Sequence, residues 1–413
     1  MQAPRIDGER LWSSLVETAQ FGATSGGGVS RLALGTADKQ ARDWLAHDCA
    51  ELGGRLTIDE VGNMFARFDG ADATLDPIAM GSHLDTQPMG GRFDGILGVL
   101  GALEVLRTLK ASGRQTRHPL LLVNWTNEEG ARFSPAMLGS GVHVGTFDVA
   151  YALNRRDDVG VAFAAALDQI GYRGPLAAGA TRIGAMFELH IEQGPVLEAR
   201  NIPIGVVEGV QAIRWFEAKI AGRAAHAGST PMSLRQDALV VAARLVLAVK
   251  DLAMRFVPGL ATVGILEAHP GSANVVPGAV RLTIDIRHPD DDELDRMEMV
   301  LRQLVPELAS VGQVELAETW RSPAVSFDPD CIAAVERAAG RAGLASHRMI
   351  SGPGHDAAYV ARIAPTAMIF VPCQGGVSHN EGGFAGGGDG AQGAQVLLEA
   401  VLDYDSRAPG LVT

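Results

Sequence analysis

PIAMGSHLDTQPMGGRFDGILGVLGALEVLRTLK, residues 77–110, is the stretch that decides the fold. Residues 77–82 are apolar or small and read as a buried strand. From Ile96 the apolar positions Ile96, Val99, Leu100, Leu103 and Leu106 recur at helical spacing, so 96–110 is a helix with one apolar face. A buried strand, a tight loop and a packed helix make the repeating unit of an α/β sheet with largely parallel strands. The loop then lies beyond a carboxyl strand end, where such sheets place their ligands. His83 ends the strand, and Asp85 falls on the same side of an extended chain, so its carboxylate is expected to hold the second nitrogen of His83. Asp94 follows on a loop loosened by Gly90, Gly91 and Gly95, where a carboxylate can bridge two metals. On its own the stretch reads equally as a metal loop or as a capped turn with a satisfied histidine.

Working outward, residues 119–126 are a second apolar strand that feeds Asn127-Glu128-Glu129-Gly130. Two neighbouring carboxylates point different ways, so one can bind metal while the other stays free as a general base; alone, the pair reads as exposed loop acids. Residues 185–191 form a third strand carrying Glu188 and His190, and residues 366–372 a fourth, followed by Ser378-His379-Asn380. Upstream, 7–20 and 36–52 are helices, the latter capped by Thr36, and 55–58 and 64–68 are strands. The glycines of 382–390 read as a loop, and a helix over 391–404 closes the chain. His83, Asp94, Glu129, His190 and His379 each stand at or just beyond a strand end. This nitrogen and oxygen set without cysteine suits Zn²⁺, Mn²⁺, Co²⁺ or Ni²⁺ in a dinuclear site bridged by Asp94. Which residue joins which ion is open.

Residues 212–325 break the pattern. Strand 214–220, helix 233–256, strands 261–267 and 280–287, helix 291–304 and strand 313–317 spell a ferredoxin-like α+β insertion. The expected organisation is therefore a catalytic domain of 1–211 and 326–413 around an inserted domain of 212–325, as a chain of 413 residues exceeds one core. A formal charge of -13 without a basic run argues against nucleic acid and membrane partners. Cys49, Cys331 and Cys373 are odd in number and widely spaced, which suits a reducing compartment. With no apolar leader or span in the sequence, a cytoplasmic location is expected.

Gly-Ser-His-Leu-Asp-Thr at 81–86, Gly-Gly-Arg-Phe-Asp-Gly at 90–95, Thr-Asn-Glu-Glu-Gly-Ala-Arg-Phe at 126–133, Glu-Leu-His-Ile-Glu-Gln-Gly-Pro at 188–195, Gly-Arg-Ala-Ala-His-Ala-Gly-Ser-Thr-Pro-Met at 222–232 and Ser-His-Asn at 378–380 closely resemble the hydantoinase/carbamoylase family of amidohydrolases. That group, within the aminoacylase and metallopeptidase superfamily, includes N-carbamoyl-L-amino acid hydrolases, β-ureidopropionases and allantoate amidohydrolases. The resemblance implies a di-metal exopeptidase-like catalytic domain with an inserted lid that also forms a homodimer. It implies two divalent ions, Zn²⁺ or Mn²⁺ with Co²⁺ or Ni²⁺ as further candidates, on the five ligands above. Glu128 matches the general base, and His226 an oxyanion-stabilising histidine supplied to the partner subunit. Gln193, Asn274, Arg287 and Gly354 match substrate contacts, with Arg287 the clamp on a substrate carboxylate. The implied reaction is metal-dependent hydrolysis of N-carbamoyl amino acids to amino acid, CO₂ and ammonia. The alternatives are β-ureidopropionase or allantoate amidohydrolase specificity, a related N-acyl amino acid amidase or dipeptidase, and a catalytically silent relative. Gln87-Pro88 looks closer to the β-ureidopropionase branch than the Val-Pro of many carbamoylases. Pro353 and the glycines after Glu381 also depart from the usual pattern.

Overall fold

The computed structural model describes residues 4–308 and 313–407, which fall into two compact units. One comprises Met1–Gly209 with Ser326–Thr413, and the other Val210–Val325.

The first unit is built on a nine-stranded sheet. At its centre Leu120–Trp125, Ile78–His83, Ala185–Ile191 and Thr366–Val371 lie side by side and parallel. Every residue of these four strands is buried, the reason they are near-continuous apolar runs. The flanks are antiparallel: Met64–Phe68 pairs with Leu120–Trp125, and Ile204–Val210 with Thr366–Val371. The helix Ile96–Ser112 packs so tightly on the sheet that a Cβ at Gly98 would stand 2.3 Å from the carbonyl oxygen of Leu189. This tight contact accounts for a glycine inside an otherwise apolar helix.

Two expectations change here. The closing helix is Gly387–Arg407, so part of the supposed glycine loop is helical. Gly393 serves packing: a Cβ there would meet Leu189 and Val371 methyls at 2.6 Å. Close approach to the sheet outweighs its low helix propensity. In the helix Thr36–Glu51 the cap position belongs to Gly35, and Thr36 is its first helical residue without a capping bond.

The second unit is an antiparallel sheet in the order Leu266–His269, Ala279–His288, Ala212–Ala221, Gln313–Ser322, with Leu260–Thr262 also on Ala279–His288. Helices Ala238–Arg255 and Asp291–Leu308 pack on one face. Counting Leu260–Thr262 and Leu266–His269 as one edge, this is the strand order of a ferredoxin-like unit. Its core includes Phe216, Ile220, Leu245, Val249, Leu282, Ile284, Leu294 and Leu301. The first helix starts at Ala238, later than expected, because Asp237 caps it and Met232–Leu234 forms a separate 3-10 turn. Among the described residues, no helix is long and apolar enough to cross a membrane.

Candidate metal centre

Four parallel strands of the first unit end along one edge of the sheet, and the ligand candidates gather there. His83 closes Ile78–His83, Glu128 and Glu129 follow Leu120–Trp125, His190 is next to last in Ala185–Ile191, and His379 follows Thr366–Val371. Asp94 comes from the loop that leads into the helix Ile96–Ser112. The ligand atoms of His83, Asp94 and His190 lie within 4.8 Å of one another, as do those of Asp94, Glu129 and His379. Asp94 belongs to both trios.

Backbone carbonyls set the two buried imidazoles. His83 Nδ1–H donates to the carbonyl of Asp85, and His190 Nδ1–H to that of Ile191, both at 2.9 Å. Each ring therefore turns its Nε2 lone pair inward, His83 to 3.4 Å from Glu128 Oε2 and His190 to 3.3 Å from Asp94 Oδ1. This corrects the expectation for Asp85. Its carboxylate stands 4.0 Å from His83 Nδ1 and accepts the backbone N–H groups of Glu128 and Glu129, both at 3.2 Å. In so tight a turn the Asp85 carbonyl reaches the ring first, which leaves the carboxylate to fix the segment bearing the two acids. That segment turns through Asn127 at φ 59°, held by its Nδ2–H donating to the Phe133 carbonyl at 2.7 Å. The two acids part as a result: Glu128 faces His83, and Glu129 lies 3.3 Å from His379 Nε2.

The electrostatics are those of crowded acids in a dry pocket. Burial, and then the charges of Asp356, Glu129, Asp85 and Glu188, hold the Glu128 carboxyl well above the usual carboxylate range. Burial and the neighbouring acids Asp38 and Glu129 push Asp85 up to about 8, and burial with Glu129 raises Asp94. Burial lowers His83 to about 4, so its ring is neutral at pH 7. Burial also opposes ionisation of Glu129, but the hydrogen bond and the attraction of His379 and the hydrogen bond from Gln87 outweigh it and lower its pKa. A cation at this point relieves the repulsion that raises these carboxyls.

The residues fit divalent metal ions. Neutral imidazoles with Nε2 preset inward and carboxylates between them are the donors such ions take. Gly95, at φ 65°, leaves the necessary space: a Cβ there would stand 2.3 Å from His83 Nε2.

Sequence reading gave no role to Glu188, His355 and Asp356, all buried behind the site. Glu188, His190 and His355 form a third close group. Glu188 accepts from Ser82 Oγ at 2.6 Å and from Ala357 N–H at 3.0 Å, and His355 Nε2 lies 3.0 Å from Ser351 Oγ. The group is a buttress for His190, whose ring centroid is 4.6 Å from that of His355. The available signal was the two-residue spacing of Glu188 and His190, which puts both on one strand face.

Among the expected substrate contacts, Gln193 takes φ 57° and its Nε2 donates to both Asp94 oxygens at 3.1 and 3.0 Å. Gly354 is half-buried against Met137. His226, Asn274 and Arg287 belong to the second unit. His226 is exposed on the short strand Ala225–His226, which pairs with Val275–Val276, and Ala227 N–H donates to the Asn274 carbonyl at 2.9 Å. Arg287 grips Asp285 at two points, Nε to Oδ1 at 3.0 Å and Nη2 to Oδ2 at 2.7 Å.

Residues 79–403 match the family described as Peptidase family M20/M25/M40. The chain is 44% identical over 403 residues to an N-carbamoyl-L-amino-acid amidohydrolase of Rhizobium meliloti, covering 97% of each. It is 36% identical to a ureidoglycolate hydrolase of Oryza sativa, covering 96% of this chain and 84% of that one. The solved structure of a hydantoinase/carbamoylase family amidase from Burkholderia multivorans superposes with a TM-score of 0.94 at 48% identity, over 96% of this chain and 98% of the other. The chain therefore belongs to the hydantoinase/carbamoylase family of amidohydrolases, within the M20 peptidase superfamily.

Proposed function

We propose that this amidohydrolase cleaves the carbamoyl C–N bond of N-carbamoyl amino acids. Water adds to the ureido carbonyl, the amino acid leaves as its amine, and the carbamic acid decomposes to CO₂ and ammonia. The observation that carries the reading is Asp94 shared between two ligand trios with Glu128 beside them but in neither. The similarity to the N-carbamoyl-L-amino-acid amidohydrolase of Rhizobium meliloti supports the substrate class.

In this reading His83, Asp94 and His190 would hold one ion, and Asp94, Glu129 and His379 the other. Bound divalent ions lower the pKa of water and polarise a carbonyl. Glu128 accepts the proton of the attacking water and returns it to the leaving nitrogen, so one carboxylate serves as base and then as acid. Asp85 keeps Glu128 in place through its backbone N–H. His226, from the partner subunit, donates to the oxygen that gains negative charge. Pairing of two copies through the second unit is supported by Val240, Leu247 and Met254, exposed at seven-residue spacing along one helix face.

Arg287 binds the substrate carboxylate, a role supported by the two-point grip its guanidinium already takes on the carboxylate of Asp285. Arg287→Met is expected to raise KM for carboxylated substrates about 10-fold or more, with a smaller change in kcat, because a charge-assisted bidentate contact is lost. An unchanged KM would remove Arg287 from the site.

A second reading, ureidoglycolate or β-ureido acid specificity, is favoured by Gln87-Pro88 and by the rice relative. Ammonia release measured across N-carbamoyl-L-α-amino acids, N-carbamoyl-β-alanine, allantoate and ureidoglycolate, with a dipeptide as control, separates the readings. The highest kcat/KM should fall on an N-carbamoyl-L-α-amino acid. A maximum on any other compound would reassign the substrate.

A further inference from the structure

We propose that Gln87 is the side chain that sets how tightly the Asp94–Glu129–His379 position holds its ion, while the His83–Asp94–His190 position is independent of it. The inference rests on the di-metal reading above.

Gln87 touches Glu129 twice. Its backbone N–H donates to Oε1 at 3.2 Å, and its side-chain Nε2–H donates to Oε2 at 2.8 Å. One residue thus grips both oxygens of one carboxylate. Each oxygen has two lone pairs, so this grip fixes the plane of the carboxylate and still leaves electron density for a cation.

The two trios differ in how much they need such help. His83 and His190 are buried, and each has its Nδ1 pinned by a carbonyl. His379 has a side chain 52% exposed and a backbone at φ 53°, and its Nε2 faces Glu129. Glu129 is therefore the anchor of the second trio, and Gln87 holds its carboxylate. Gln193 offers an internal contrast. It donates to both oxygens of Asp94, which the trios share, so its influence reaches both positions.

Outer hydrogen bonds that orient metal ligands typically change affinity by about 10- to 100-fold. Gln87→Val and Gln87→Met remove the Nε2 donor and keep the backbone one, and the methionine also keeps the length of the side chain. Chelator-treated full-length protein titrated with Mn²⁺ or Co²⁺ in a calorimeter gives the affinities directly, without reference to turnover. Wild-type protein should take two ions per chain, as its two trios imply. Both Gln87 variants should weaken one event about 10-fold or more and leave the other unchanged. Gln193→Asn, too short to reach Asp94 and tolerant of a left-handed backbone, should weaken both. Wild-type affinities in both Gln87 variants, or equal weakening of the two events, would overturn the proposal. A wild-type chain that takes fewer than two ions would overturn the di-metal reading and the proposal with it.

Discussion

Glu128→Gln should lower kcat by about three orders of magnitude, within the range that proton transfer by a positioned side chain contributes, while the protein keeps its full complement of metal. The amide matches the acid in shape, so packing against His83 and the bonds that the backbone N–H groups of Glu128 and Glu129 donate to the Asp85 carboxylate persist. It cannot accept a proton. Glu128 belongs to neither trio, so ion binding has no reason to change. Turnover and elemental analysis on the same sample check both halves. Substantial remaining turnover would end its role as base, and loss of metal would make it a ligand.

The second large effect belongs to His226. His226→Ala should reduce kcat by about 10²- to 10³-fold, the usual loss on removing one donor to a developing oxyanion. Exposed on its own unit, with Nδ1 accepting from Gly228 N–H at 3.0 Å, the ring contributes little to the fold, so the variant should remain stable. If the histidine is donated across a dimer, mixing His226→Ala with Glu128→Ala protein restores part of the activity. Each hybrid then has one site with Glu128 of one chain and His226 of the other. Absence of recovery in a mixture shown to exchange subunits would place His226 in its own chain's site or outside catalysis.

The central sheet was readable because fully buried parallel strands must be apolar throughout, so the first polar residues after each run mark the carboxyl edge. His83, Glu129, His190 and His379 were legible for that reason, and Asp94 through its glycines. The inserted unit was legible from alternation such as that in Ala279–His288, where one face is buried and the other is not. Features decided by distant packing were not. Glu188 looks misplaced in an apolar strand until Ser82 and Ala357, 106 and 169 residues away, supply its hydrogen bonds. Asp85 was given the right neighbourhood and the wrong bond, because whether the carbonyl or the carboxylate reaches His83 depends on how the turn closes. The strands Ile204–Val210 and Ser346–Ser351 went unread, one interrupted by glycines and the other half exposed, and neither carries a clean period. The start of the closing helix was hidden because Gly387, Gly390 and Gly393 answer to neighbours rather than to helix propensity.

Ammonia release from an N-carbamoyl-L-amino acid, followed alongside the ion content of the protein before chelation, after it and after adding metal back, tests the whole account most directly. Two ions per chain are expected from the two trios, with no ammonia from the chelated protein and recovery of ammonia and free amino acid in step with metal uptake. Full turnover by metal-free protein, or dipeptide hydrolysis with no ammonia from any carbamoyl substrate, would contradict it.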